Sequence, residues 1–275
     1  MTSCCRGCAV SQPNAPSMDV LRQHCKALCL PTAYQIVEQA LDTARQEDWP
    51  LETFLHYMLE QELIGRRQRR AARRVKASHL PEGKTLSTFD QKRLPLRVRR
   101  LLPQLRRGEL IDRAENILIF GLPGTGKTHL AAALGYEWIY TNRSVLFIPT
   151  YQLVSRLLRA KRDLELEREL RRLDRFQVVI LDDIGYVQQS RQEMEVLFTF
   201  LAERYERRSV VITSNLVFSE WGQIFKDPLT TAAAIDRVVH HSLIVEFGSD
   251  ITSYRAEEAT KRNREKGEQD EVTGE

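Results

Sequence analysis

The stretch 121-GLPGTGKTHLA-131 stands between an apolar run, Asn116–Phe120, and a helical pattern over Thr128–Asn142. Gly-x4-Gly-Lys-Thr in that strand-to-helix position is a phosphate-binding loop. Gly121, Gly124 and Gly126 let backbone N–H groups converge on phosphate oxygens where a side chain would block approach. The following helix adds the positive end of its dipole. Lys127 is placed to reach β- and γ-phosphate oxygens, and the Thr128 hydroxyl to ligate Mg²⁺. Pro123, Thr125 and His129 complete the candidate nucleotide cradle.

Further along, 178-VVILDD-183 is an apolar run ending in two acids. A buried parallel strand would deliver Asp182 to the metal shell. Asp183 would face the place where water stands beyond a γ-phosphate, as base or water-orienting group. The next β-rich run, Val210–Thr213, leads into Ser214-Asn215. If that strand lies between the first and third, Asn215 falls between cradle and acids and holds the attacking water; otherwise it only starts a turn. Asn116–Phe120, Val145–Pro149, Val178–Leu181, Val210–Thr213 and Leu243–Phe247 alternate with helical patterns at Thr128–Asn142, Tyr151–Leu173, Gln192–Arg207 and Thr231–Val239. Five short strands separated by helices describe an α/β fold, a parallel sheet with helices on both faces.

Toward the N-terminus the character changes. Residues 1–17 read as a loose leader, and Met18–Leu30 and Pro31 to about Glu47 as helices. Asp48-Trp49-Pro50 then looks like a cap followed by proline at the first helical position. Leu51, Phe54, Leu55, Met58, Leu59 and Leu63 recur at helical spacing, so a core-facing helix is expected. Its second half turns to arginine in 66-RRQRRAARRVK-76. From Arg66 to Arg107 there are 15 Lys/Arg against Glu82 and Asp90, a local balance of +13 in a chain whose net charge is +4. That asymmetry points to a polyanion. Arg66, Arg67, Arg69, Arg70, Arg73 and Arg74 are the candidate DNA contacts. The plainer reading is a solvated helix face. The expected division is a leader at 1–17, a small all-α DNA-binding and assembly domain at 18–78, a basic linker at 79–112, an ATPase domain at 113–250 and a polar tail at 251–275.

All five cysteines, Cys4, Cys5, Cys8, Cys25 and Cys29, fall in the first thirty residues. Cys5-x2-Cys8 with Cys25-x3-Cys29 has zinc-like spacing; alternatively the first pair lies in the leader and the second packs a helix. The rest of the chain has no cysteine, which fits a reducing cytoplasm. No apolar run approaches a membrane span, and no secretory h-region is present.

Together, the phosphate loop, the acidic pair and 212-ITSN-215 resemble the AAA+ ATPases. GLPGTGKTHLA, VVILDDIGYV, SVVITSNLVFSEW and AAAIDRVVHHS are similar to the IstB-like ATP-binding proteins of insertion sequences, relatives of the DnaC helicase loaders. The resemblance spans about Pro31 to Arg255. It implies ATP and Mg²⁺ as cofactors, Lys127 and Thr128 as the Walker A pair and Asp182 as the Walker B acid. Asp183 stands where many AAA+ proteins carry Glu, which implies slow or partner-stimulated hydrolysis. Asn215 falls at the sensor-1 position. Arg237 falls at that of an arginine finger completing a neighbour's site, or pairs with Asp236 or Glu246 in its own chain. A finger in trans requires a head-to-tail ring or helical filament. Gly248–Glu275 is short for the helical lid of many relatives, so no C-terminal lid domain is expected. Arg156, Arg159, Lys161 and Arg162 lie in a helix that could touch DNA or be salt-bridged to its glutamates.

The function this implies is ATP-dependent, sequence-tolerant assembly on double-stranded DNA in support of the transposase of the same element. The alternative is a DnaC-like loader of a replicative helicase.

Overall fold

The computed structural model describes residues 16–184, 190–216 and 238–247. The chain divides into two compact units between Arg70 and Ala71.

The first unit contains α1 (Met18–Ala27), α2 (Pro31–Gln46) and most of α3 (Leu51–Ser78), and the division falls inside α3. Pro31 opens α2 at its first turn, where its missing N–H costs nothing. The next donors, Thr32 N–H and Ala33 N–H, are accepted by Glu62 Oε2 of α3 at 2.8 and 3.1 Å. Glu62 is buried, and its other oxygen accepts from Arg66 Nε and Arg69 Nη2, both at 3.0 Å. Burial works against its charge, but the Ala33 N–H, Arg66, the Thr32 N–H and Arg69 together hold its carboxyl below the usual range. At Gly65 a Cβ would collide with Thr32 Oγ1, so this glycine permits α3 to meet the start of α2 rather than breaking the helix.

One expectation fails here. The apolar stripe of α3 does not face a core: Leu51, Leu55, Leu59 and Leu63 are 84, 58, 52 and 55 % exposed. The described part of this unit buries only Ala33, Val37 and Ala40 among its apolar residues, and its meeting point with α3 is the Glu62–Gly65 turn.

The second unit is a five-stranded parallel sheet in the order β2-β3-β4-β1-β5. The strands are β1 (Asn116–Phe120), β2 (Val145–Pro149), β3 (Val178–Ile184), β4 (Ser209–Ser214) and β5 (Ser242–Glu246). Side chains alternate between two cores. Ile117, Ile119, Val145, Phe147, Ile180 and Val211 face α4 (Leu96–Arg107), α5 (Glu109–Asp112) and α6 (Lys127–Tyr140). Leu118, Phe120, Leu146, Ile148, Leu181 and Ile212 face α7 (Thr150–Arg162), α8 (Leu166–Leu173) and α9 (Arg191–Arg204). The single helix expected over Tyr151–Leu173 is two, because Leu164 adopts φ 57° at the turn between them. The segment after α3, expected as a linker, buries Leu80, Leu86, Phe89 and Leu94 in the first core.

Candidate functional site

The site forms where β1, β3 and β4 end side by side. Beyond Phe120 the chain turns at Gly121, where a Cβ would stand 2.7 Å from Phe247 Cβ. Thr125 Oγ1 closes the loop on the Leu122 carbonyl at 2.9 Å. Gly126, at φ 105°, precedes Lys127 and Thr128 in the first turn of α6, whose leading N–H groups have no helical partners. Exposed Pro123 and half-buried Gly124 complete the loop.

Lys127 is buried at 7 % exposure. Its ammonium donates to the carbonyls of Gly121 and Leu122 at 2.7 and 2.9 Å, and to Asn215 Oδ1 at 2.7 Å. Asn215 Nδ2 donates in turn to Asp183 Oδ1 at 2.9 Å. The Asp183 N–H donates to Thr213 Oγ1 at 2.8 Å, and that hydroxyl donates to Asp182 Oδ1 at 2.7 Å. Thr150 Oγ1 donates to the Asp182 carbonyl at 3.1 Å. One hydrogen-bonded chain therefore joins Lys127, Asn215, Asp183, Thr213 and Asp182. The two acids sit where the β3–β4 register is interrupted between Leu181 and Ile184, and Asp183 has φ 62°. The bulge turns the strand end so that successive acids face different neighbours.

The arrangement suits a polyphosphate. The Gly121, Leu122 and Asn215 oxygens that Lys127 holds are neutral, and an anionic phosphoryl group competes well against them. Thr128 stands in the first turn of α6, and Asp182 keeps one oxygen for Thr213 while the other takes no hydrogen bond among the described residues. A hydroxyl and a carboxylate are the hard oxygen donors that Mg²⁺ takes. Asn215 stands between cradle and acids because β4 lies between β1 and β3. Thr213 and Thr150 escaped the sequence reading; the signal for Thr213 was a polar residue directly after the buried Val210–Ile212 run.

His129 turns away from the phosphate loop. Its Nε2 lies 3.1 Å from the Thr85 carbonyl and 3.2 Å from Thr88 Oγ1, and Phe89 stands edge-on with ring centroids 5.0 Å apart. Since a carbonyl only accepts, Nε2 carries the proton. Burial lowers the His129 pKa, the Thr85 carbonyl opposes this, and Lys84 adds to the lowering.

The six candidate DNA arginines are not equivalent. Arg66 and Arg69 are committed to Glu62, and Arg74 Nη1 donates to Asn142 Oδ1 at 2.7 Å. Arg67, Arg70 and Arg73 are exposed. On the α7–α8 pair, Arg156 is bonded to Glu169 and Lys161 to Glu195, which leaves Arg159 and Arg162 exposed. His240 and His241 are satisfied locally, by the Tyr205 hydroxyl at 3.2 Å and by Glu206 at 3.3 Å. Cys25 and Cys29 are free thiols, whereas Cys4, Cys5, Cys8 and Arg237 lie outside the described residues, as do 248–275. Among the described residues no helix is long and apolar enough to cross a membrane.

Comparison with known proteins agrees with this geometry. The profile of the family described as IstB-like ATP binding protein matches residues 23–262. An insertion sequence ATP-binding protein of Sinorhizobium fredii is 42 % identical over 241 residues, 87 % of this chain and 80 % of its own. The ATP-binding protein of insertion sequence IS21 from Pseudomonas aeruginosa is 39 % identical over 225 residues, 82 % of this chain and 84 % of its own. Among solved structures, the DnaC helicase loader superposes with a TM-score of 0.50 at 19 % identity, covering 61 % of this chain and 98 % of that one. At that identity the likeness is one of fold, the AAA+ P-loop architecture.

Proposed function

Since the chain belongs to the IstB-like ATP-binding protein family, we propose that it is a slow AAA+ ATPase that assembles on double-stranded DNA in its ATP state and assists the transposase of its insertion sequence. The hydrogen-bonded chain from Lys127 through Asn215 and Asp183 to Asp182 carries this reading. It joins a buried cation suited to phosphate, an amide and a carboxylate suited to orienting water, and a carboxylate suited to a metal, which supports the reading.

ATP would occupy Gly121–Thr128; Thr128 and Asp182 would hold Mg²⁺, whose charge would offset that of the phosphates. Lys127 exchanges Asn215 for phosphate oxygens. Asn215 is thereby freed to hold water, and Asp183 orients that water and accepts its proton. Arg237 of a neighbouring subunit adds positive charge at the γ-phosphate, which calls for a ring or filament. The exposed leucine row of α3 favours such association, since contiguous apolar surface mark sites of assembly. The basic segment neutralises DNA phosphates without reading bases, so binding is sequence-tolerant and depends steeply on salt.

The deciding experiment is the mass of the full chain in solution with a random-sequence duplex several helical turns long, in ATP and in ADP. Large assemblies that need both duplex and ATP are the expected result. A chain that stays monomeric on duplex in either nucleotide sinks the reading and moves weight to the helicase-loader alternative.

A further inference from the structure

The chain between α3 and α4 lies along α6 in the opposite direction, and its contacts follow in order. At the C-terminal end of α6, Arg74 donates to Asn142 Oδ1. Next, the Tyr136 hydroxyl donates to the Pro81 carbonyl at 3.3 Å. Leu80 covers Gly135 so closely that a Cβ there would stand 2.8 Å from Leu80 Cδ2. Nearer the N-terminal end, His129 holds Thr85 and Thr88. At the phosphate loop, Phe89 lies 3.1 Å from where a Cβ on Gly126 would be. The contacts thus run the length of the 14-residue α6, about 21 Å at roughly 1.5 Å per residue.

This segment is braced as well as anchored. Thr88 Oγ1 donates to the Gly83 carbonyl at 2.6 Å and accepts from the Thr85 N–H at 3.0 Å. The Thr85 and Ser87 hydroxyls are 2.7 Å apart. Leu80, Leu86 and Phe89 are buried in the same core as Leu130 and Leu134 of α6. A packed, internally bonded segment transmits a displacement from one end to the other, where a solvated linker would absorb it. Its two ends meet the two functional regions. Phe89 and His129 pack on the helical turn that holds Lys127 and Thr128. Arg74 is the neighbour of exposed Arg73 in the basic part of α3.

We propose that residues 74–89 form a strap through which a nucleotide polyphosphate seated at Gly121–Thr128 changes how the basic end of α3 is presented, so that duplex DNA is held more tightly in one nucleotide state than in the other. The DNA half of this statement rests on the function proposed above; the response of the strap to nucleotide does not.

The test uses the full chain and two variants, one at each end of the strap. Thr88→Ala removes the side-chain tether to His129 and the brace of the turn. Asn142→Gly removes the Oδ1 that Arg74 Nη1 holds, at a position whose φ of 71° suits glycine. Backbone hydrogen exchange over residues 74–92 is measured without nucleotide, with ADP and with a slowly hydrolysed ATP analogue. The affinity for a fluorescent random-sequence duplex is measured in the same states. In the wild type, exchange in the strap changes with the ATP analogue, and DNA affinity differs between nucleotides by about 5–150-fold, the usual range for coupled sites. In both variants that ratio falls several-fold, while affinity for a fluorescent ATP analogue stays as in the wild type. Strap exchange indifferent to nucleotide overturns the proposal, and so does a ratio the variants leave intact. If the chain binds no duplex, the function proposed above fails; the strap then stands or falls on the exchange result alone.

Discussion

The left-handed backbone of Asp183 explains why an aspartate stands there. Asp and Asn tolerate φ near +60° through local hydrogen bonds that longer side chains make less well. The acid is short because the bulge places it, so lengthening the side chain does not recover activity. Asp183→Glu is expected to turn over ATP no faster than the wild type, and a faster variant would refute this account. Thr213 serves both acids, accepting from the Asp183 N–H and donating to Asp182. Thr213→Val keeps the shape and removes both bonds, the one to the half-buried Asp183 N–H included, at a cost on the order of 1 kcal/mol each. The expected result is a clear drop in turnover with ATP still bound, measured by steady-state hydrolysis beside nucleotide titration. The acids and Asn215 were legible because their order after a phosphate loop is informative. Thr213 and the Asp183 conformation were not, since neither periodicity nor spacing encodes a bulge.

Among the elements, α3 carries opposite demands in its two halves. Glu62 joins it to the start of α2, and Glu62→Ala strands two N–H groups of α2 and two arginines. That change should destabilise the first unit by about 2–3 kcal/mol. Because the folded pKa of Glu62 is lowered, its contribution is present above the ordinary carboxylate pKa and is lost as pH falls through the folded value. Thermal unfolding followed downward from neutral pH should show a loss in the wild type that Glu62→Ala lacks. The exposed leucines make a second prediction: Leu59→Glu should weaken assembly on DNA while leaving the helicity of the isolated chain unchanged, as read by sedimentation and circular dichroism. Of the elements, β1 and β2 were readable to the residue because buried parallel strands are unbroken apolar runs. The break between α7 and α8 was not, for Asp163-Leu164-Glu165 contains neither Gly nor Pro and the leucine is almost wholly exposed. The strap was equally hidden. Its buried residues are single apolar positions at irregular intervals, and a pattern without a period reads as a linker.

At the scale of the whole molecule, charge is distributed so that only part of the basic segment is available to a polyanion. Arg67 and Arg73 are exposed and make no ion pair among the described residues, whereas Arg66 and Arg69 serve Glu62. If the two exposed arginines each neutralise one DNA phosphate, Arg67→Ala with Arg73→Ala should lower the slope of log affinity against log salt by about 2, near 0.9 per contact. An unchanged slope would remove them from the interface. The sheet order has a further consequence, for biosynthesis. The interior strand β1 is flanked by β4 and β5, both of which come later in the chain. As the polypeptide leaves the ribosome, Asn116–Phe120 therefore waits with both edges open until Val211 and then Leu243 have been made. A chain cut short before Ser242 would keep one edge of this buried strand unpaired, ready to pair with another copy of itself.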